Sequence, residues 1–182
     1  HCPLTLEDTQ KFKRDWAISL KGPFFPPQLF TLYARAYSNA LATGAWHARI
    51  PKQGPSTYQS GDDPLNMFLN LRVQEFVERL AGIRVDPTYG YTNGYARGDE
   101  LKPHTDRKAC EFTLTTLLVA QPHPDYCPLF VQNTPWKIDD KWVGRWEENT
   151  LWRSDVTKIV PALNGISIIR GRAKPHFRPP LP

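Results

Sequence analysis

The chain has 182 residues, 40% of them hydrophobic and 23% charged, which suits one globular domain with a single core. The formal net charge is +5 and the pI is about 9.2. The basic residues are scattered, with no run longer than 11–14 or 170–172, so the charge favours an ordinary solvated surface over a nucleic-acid-binding one.

The cysteines and the hydropathy pattern bear on the compartment. Cys2, Cys110 and Cys127 have no CxxC spacing and leave one cysteine over, which argues against a disulfide framework and a structural zinc site. Reduced thiols predict a cytoplasmic location. No stretch approaches the roughly 18 apolar residues of a membrane span, so we expect no membrane partner. The sequence leaves the oligomeric state open.

Helical patterns occupy the first part of the chain. A short helix is predicted around residues 6–20, and a second from 28 to about 41, after two prolines. Residues 45–63 read as a loop. The clearest helix begins at Pro64, has one apolar stripe and ends at Gly82, a natural C-cap. These helices are interpreted as a packing layer.

From residue 83 onward the pattern is that of an antiparallel β protein. Short β-branched or aromatic segments alternate with Pro, Gly and Asp, and they fall at 88–95, 112–119, 129–132, 142–146, 157–160 and 165–169. The predicted fold is mainly β with N-terminal helices, in one domain over 1–182. Residues 1–82 are expected to form a helical support region, and residues 83–182 the β core.

A candidate metal site lies in this β part. His104 and Asp106 are two apart, so on an extended chain both side chains point to the same side. His176, after the strand predicted at 165–169, is the candidate third ligand. Two His and one carboxylate on one face leave the opposite positions open, which suits Fe(II) oxygen chemistry.

The H-x-D pair alone is a weak signal. It also fits a surface histidine beside an aspartate that caps a turn. Catalytic zinc is the other metal that uses three ligands and an open position, but zinc sites usually have more histidines or an HExxH helix, which this sequence lacks.

Two segments resemble a known superfamily. Residues 95–106 are similar to the Y-x-x-G-x-x-[YL]-x-x-H-x-D signature of prolyl-4-hydroxylase-type 2-oxoglutarate oxygenases, and residues 106–115 resemble D-R-x-x-C-E-[FIY]-[ST]-x-T of a subgroup. Residues 170–178 are similar to its RG-x-x-x-PHWR segment, with Phe177 at the tryptophan position. Together the similarity covers about 88–116 and 165–182.

The resemblance implies a double-stranded β-helix (jelly-roll) core with Fe(II) held by His104, Asp106 and His176. It also implies 2-oxoglutarate and O₂ as cosubstrates, with ascorbate as a supporting reductant. Relatives have one more strand and a basic residue further downstream, whereas this sequence ends six residues after His176. We therefore expect a truncated C-terminus, or a sheet edge covered by the N-terminal segment or a partner.

The same resemblance suggests the cosubstrate contacts. Arg178, on the His176 side of an extended chain, is the candidate partner of the distal carboxylate of 2-oxoglutarate, because bidentate Arg suits this task. Tyr95 matches the family tyrosine, and Thr113 and Thr115, which point to one side of their predicted strand, are candidate lining residues. Alternatively, Arg178 is simply an exposed arginine, and Tyr95 is an aromatic residue of the core. The threonines are also explained by the ordinary preference of this residue type for β-strands.

Other side chains are candidates for support and substrate contact. Arg107 and Glu111 are expected to form an ion pair that braces the ligand loop, the segment that follows Asp106. Arg172 and Trp136 are candidate substrate contacts, although a solvated edge and a packing role explain them as well.

The leading prediction is an Fe(II)- and 2-oxoglutarate-dependent hydroxylase. Its substrate would be a peptidyl residue, prolyl type, or a small amino-acid-like molecule, with release of succinate and CO₂. The alternatives are a catalytically weak binding or sensing module on the same scaffold, and a nucleic-acid demethylase. The scattered basic residues make a nucleic-acid partner the weaker of these.

Overall fold

The computed structural model describes residues 4–45, 48–49, 57–61, 64–120, 127–134 and 155–182. Three helices and ten strands lie in these ranges. The helices are Leu6–Asp15 (α1), Pro27–Ala42 (α2) and Pro64–Ala81 (α3), and the strands are Ala17–Leu20 (β1), Ala48–Arg49 (β2), Thr57–Gly61 (β3), Tyr91–Gly94 (β4), Leu101–His104 (β5), Thr113–Thr115 (β6), Leu129–Gln132 (β7), Val156–Ile159 (β8), Ile166–Ile169 (β9) and His176–Arg178 (β10).

Helix α1 is shorter than predicted, and the difference has a local cause. A capping box between Thr5 and Asp8 begins the helix. Trp16 adopts the left-handed conformation, with φ 53°, and ends it. Residues 17–20, predicted as helix, instead form β1, which pairs antiparallel with β9 from Ala17↔Ile169 to Leu20↔Ile166. A tertiary pairing therefore overrides the local helical pattern.

The other two helices agree closely with the prediction. Helix α2 begins at Pro27 and α3 at Pro64. Gly82 follows α3 with φ +75°, as a C-cap glycine requires. The predicted loop over 45–63 is wrong in part, because the short strands β2 and β3 lie within it, and β3 pairs with β4. The strand predicted at 142–146 lies outside the described residues.

Two of the three sheets form the core. One has the order β1-β9-β6 and the other β5-β10-β7-β8, while β2-β3-β4 is a separate sheet. All four residues of β9 are buried. Its Ile166 and Ile168 pack outward with α1 and α3 residues such as Phe12 and Leu80.

The opposite face of β9 joins the two core sheets. Ile169 lies in one apolar cluster with Leu129, Val131 and Ile159, which belong to the second sheet. The two sheets therefore face each other with helices on the outside, and this is the predicted jelly-roll arrangement. Strand β1 contributes to a core sheet, so the N-terminal region is not helical throughout.

The C-terminal residues lie against the segment before β5. The backbone N–H of Leu181 donates to the carbonyl of Asp99 at 2.9 Å, and the N–H of Gly98 donates to the carbonyl of Leu181 at 2.9 Å. Among the described residues, none of the helices combines the length and apolar character needed to cross a bilayer.

Candidate metal centre

His104 and His176 are brought together by strand pairing. β5 and β10 run antiparallel, with His176 directly opposite His104. The centroids of the two imidazole rings lie 4.3 Å apart. The register then shifts, so that Arg178 pairs with Leu101. Pro103 lies within this irregular stretch of an edge strand, where a residue without an N–H is tolerated.

Asp106 completes the cluster. Its Oδ1 atom lies 3.7 Å from Nε2 of His104 and 3.7 Å from Nε2 of His176. Candidate ligand atoms of these three residues all fall within 4.8 Å of one another. The sequence prediction that these side chains converge is therefore met by the geometry.

Backbone carbonyls set the orientation of both imidazole rings. Nδ1 of His104 lies 2.8 Å from the carbonyl oxygen of Lys102, and Nδ1 of His176 lies 3.0 Å from that of Lys174. Since a carbonyl only accepts, each Nδ1 carries a proton, and each ring turns its Nε2 toward Asp106. Burial, with a further contribution from His104, lowers the pKa of His176 to about 4. His176 is thus neutral at physiological pH, as a metal ligand must be.

The predicted ion pair between Arg107 and Glu111 is not formed among the described residues. Glu111 instead pairs with Arg170, at 2.5 Å between Oε1 and Nε, and Arg172 approaches it at 4.0 Å. Arg107 lies over the ring of Tyr89, 5.9 Å from its centroid. Glu111 therefore braces the ligand loop against the segment after β9, which is distant in sequence.

Arg170 connects this brace to the N-terminal region. Its guanidinium lies 4.5 Å from the ring centroid of Trp16, and its backbone N–H donates to the Trp16 carbonyl at 2.9 Å. Sequence reasoning did not identify this contact, since no local pattern relates Trp16 to Arg170.

Arg178 is buried close to the three clustered residues. Its Nε atom is buried without a hydrogen-bond partner, and no Asp or Glu among the described residues forms an ion pair with it. Its guanidinium lies 5.3 Å from the centroid of the Tyr95 ring. Arg178 and Tyr95, the two predicted cosubstrate residues, are thus neighbours, and no acidic side chain in the described part of the chain pairs with Arg178.

Tyr91 is a neighbour of the three clustered residues that the sequence analysis did not single out. Burial raises the pKa of its hydroxyl to about 12, with Asp106 and Tyr95 as further causes, which places that hydroxyl near both residues. The residue keeps 46% of its surface exposed, so only the surroundings of the hydroxyl are enclosed. Its position on β4, four residues before Tyr95, is the signal that could have indicated it.

Of the remaining candidate residues, the two threonines of β6 lie beside the cluster. Thr113 and Thr115 are two apart on β6 and share a face. The Thr113 hydroxyl donates to Oδ2 of Asp106, so this face looks toward the metal cluster. Nη1 of Arg172 donates to the Lys108 carbonyl at 3.4 Å. Trp136 lies outside the described residues.

Sequence comparison finds no protein-family model and no curated protein that matches the chain. Comparison of structures does find similar proteins. A prolyl-4-hydroxylase from Pseudomonas putida has a TM-score of 0.69 at 11% identity, covering 96% of this chain and 90% of that one. HygX from Streptomyces hygroscopicus, with nickel, 2-oxoglutarate and hygromycin B bound, has a TM-score of 0.69 at 12% identity, covering 98% and 82%.

A third similar structure is the non-heme, α-ketoglutarate-dependent epimerase SnoN from nogalamycin biosynthesis, with a TM-score of 0.67 at 16% identity, covering 96% and 76%. At these identities the comparisons establish the fold. The chain has the jelly-roll fold of the prolyl-4-hydroxylase-like 2-oxoglutarate oxygenases.

Proposed function

We propose that this protein is an Fe(II)- and 2-oxoglutarate-dependent oxygenase whose iron is held by His104, Asp106 and His176. The observation that carries the proposal is the convergence of two imidazole Nε2 atoms and one carboxylate oxygen, with both Nδ1 atoms held by backbone carbonyls.

The donor set fits ferrous iron. Two neutral imidazoles and one carboxylate on one face of the ion leave its other positions for a cosubstrate and O₂. When bound, the iron supplies the oxidising chemistry, and the protein supplies ligands, orientation and a partly dry pocket. Here the burial of His176, which is only 4% exposed, keeps water from one side of the cluster.

Arg178 and Tyr95 are the proposed contacts of the distal carboxylate of 2-oxoglutarate. A buried guanidinium without an anion is costly, because its desolvation is not compensated. A dicarboxylate that reaches the iron with one end could neutralise Arg178 with the other. The Tyr91 hydroxyl, near Tyr95, is a further donor within this region, and Thr115 remains a proposed lining residue.

The proposed reaction is oxygen insertion into a C–H bond, coupled to conversion of 2-oxoglutarate into succinate and CO₂. The proposed substrate is a prolyl-type peptidyl residue or a small amino-acid-like molecule. The similar structures are compatible with a peptidyl or a small-molecule substrate, since one is a prolyl-4-hydroxylase and another binds hygromycin B, but they do not favour an amino-acid-like molecule. Arg172 would have to exchange its contacts with Lys108 and Glu111 to meet a substrate, and Trp136 remains a proposed contact.

The test has two stages. The purified protein with Fe(II), 2-oxoglutarate, O₂ and ascorbate should release succinate, and the Asp106→Ala variant should not. Peptides and free amino acids are then screened by mass spectrometry for a gain of one oxygen atom. Succinate formation above the Asp106→Ala level supports the oxygenase. Binding of 2-oxoglutarate and iron without any succinate would instead indicate a binding or sensing module.

A further inference from the structure

We infer that Thr113 and Gly171 hold the Asp106 carboxylate in a single-oxygen binding mode, and that Thr113 is a positioning residue for the metal. This inference rests on the proposed metal site. It assigns a role to two residues that do not themselves contact the ion.

The two carboxylate oxygens of Asp106 have different partners. Oδ1 faces the imidazoles, at 3.7 Å from each Nε2 atom. Oδ2 accepts a short hydrogen bond from the hydroxyl of Thr113 on β6. Because Oδ2 accepts the Thr113 hydrogen bond, Oδ1 is the oxygen that is left to face the imidazoles.

Gly171 provides the space for this arrangement. A Cβ atom at position 171 would overlap Oδ2 of Asp106, and it would lie 2.8 Å from Asp106 Cγ and 2.9 Å from Thr113 Oγ1. The Gly171 carbonyl also accepts the backbone N–H of Asp106 at 2.9 Å. Any side chain at position 171 must therefore displace the Asp106 carboxylate. Glycine leaves room for this carboxylate, and its carbonyl still holds the Asp106 backbone.

The consequence concerns the number of open positions on the metal. A carboxylate that binds through both oxygens takes up one position more than one that binds through a single oxygen. The Thr113 hydrogen bond opposes a rotation of the carboxylate that would bring Oδ2 to the metal. The coordination position that Oδ2 would occupy would then be open to 2-oxoglutarate. Partners that orient metal ligands typically contribute about 10–100-fold to metal affinity.

The experiment compares variants by metal titration under anaerobic conditions, with Fe(II) alone as the probe. Thr113→Val removes the hydroxyl but keeps the volume, and Thr113→Ser restores it. Thr116→Val is the matched control, because Thr116 loses an equivalent hydrogen bond, at 2.7 Å to the Gly165 carbonyl, away from Asp106. We expect about a 10–100-fold weaker Fe(II) affinity for Thr113→Val, and values near the wild type for Thr113→Ser and Thr116→Val.

Gly171→Ala is a second variant that separates positioning from folding. The added methyl group meets the flexible end of the Asp106 side chain. We therefore expect a folded protein, by circular dichroism, with weakened Fe(II) binding and a reduced visible absorption change on addition of 2-oxoglutarate to the anaerobic Fe(II) complex.

The outcomes distinguish the inference from the function on which it rests. If the wild type binds Fe(II) and Thr113→Val binds it equally well, the positioning role of Thr113 is wrong, while the metal centre stands. If the wild type itself binds no Fe(II), the proposed metal centre fails and the inference fails with it. If Thr116→Val weakens Fe(II) binding as much as Thr113→Val does, the effect belongs to this segment of the chain generally and the inference is overturned.

Discussion

His104 and His176 are direct cross-strand partners, in an antiparallel pair that joins two distant parts of the sequence. Because side chains alternate along a strand, a slip of one residue in this pairing would move His176 to the opposite face of the sheet. The two Nε2 atoms meet Asp106 only in the observed register. The candidate metal site therefore depends on the β5–β10 pairing as much as on the three residues.

Arg178 should determine the affinity for 2-oxoglutarate. Arg178→Ala removes the buried guanidinium that is proposed to bind the distal carboxylate, and loss of one partner of such a buried charged contact typically costs about 2–5 kcal/mol. We expect 2-oxoglutarate to bind more weakly by a corresponding amount, with metal content unchanged, in calorimetric titrations. Arg79→Ala, at an exposed position of α3, is the charge-matched control. Unchanged binding by the Arg178 variant would move this role to another basic residue, such as Arg172.

The outward face of β9 should contribute to stability without contributing to the site. Ile168 is fully buried against the helical layer, on the opposite face from Ile169. Ile168→Ala should lower the free energy of unfolding by about 2–5 kcal/mol, since it leaves a cavity. Urea denaturation measures this loss. A decrease below about 1 kcal/mol would mean that the helices α1 and α3 close over the gap.

The capping box of α1 predicts a pH-dependent effect. The hydrogen bond from the Thr5 side chain holds the pKa of Asp8 below its usual value of 3.8. A carboxyl group with a lowered pKa in the folded state stabilises the fold above its unfolded pKa, and this contribution is lost as the pH falls through the folded value.

Thr5→Ala should therefore cost about 1 kcal/mol at neutral pH, and clearly less once the pH is below 3.8. Urea unfolding of the wild type and the variant at the two pH values gives the comparison. An equal cost at both values would show that the Asp8 carboxylate takes no part in the cap.

Local patterns were sufficient for some elements and not for others. Pro64 and Gly82 mark the two ends of α3, and the H-x-D spacing indicates that His104 and Asp106 lie on one side of the chain, because these signals are local. The β1 strand was predicted as helix, since its structure depends on pairing with β9. Long-range contacts have no local signature, so the prediction missed the Glu111–Arg170 ion pair and paired Glu111 with the nearer Arg107.

The residues around the three clustered side chains also differ in whether a local sequence signal or only the packing of the fold places them. Thr113 was recognised as a possible pocket residue, but its bond to Asp106 depends on how the ligand loop folds over β6. Tyr91 was not singled out at all, because which face of β4 turns toward Asp106 depends on the packing of that strand.

The central claim is that His104, Asp106 and His176 bind one ferrous ion. Anaerobic titration of the wild type and of His176→Ala with Fe(II) tests it most directly, with the destabilised Ile168→Ala variant as control. We expect one ion per chain for the wild type and Ile168→Ala, and for His176→Ala a loss of affinity greater than the roughly 10–100-fold typical of residues that only support a ligand. Undiminished Fe(II) binding by His176→Ala would contradict the account.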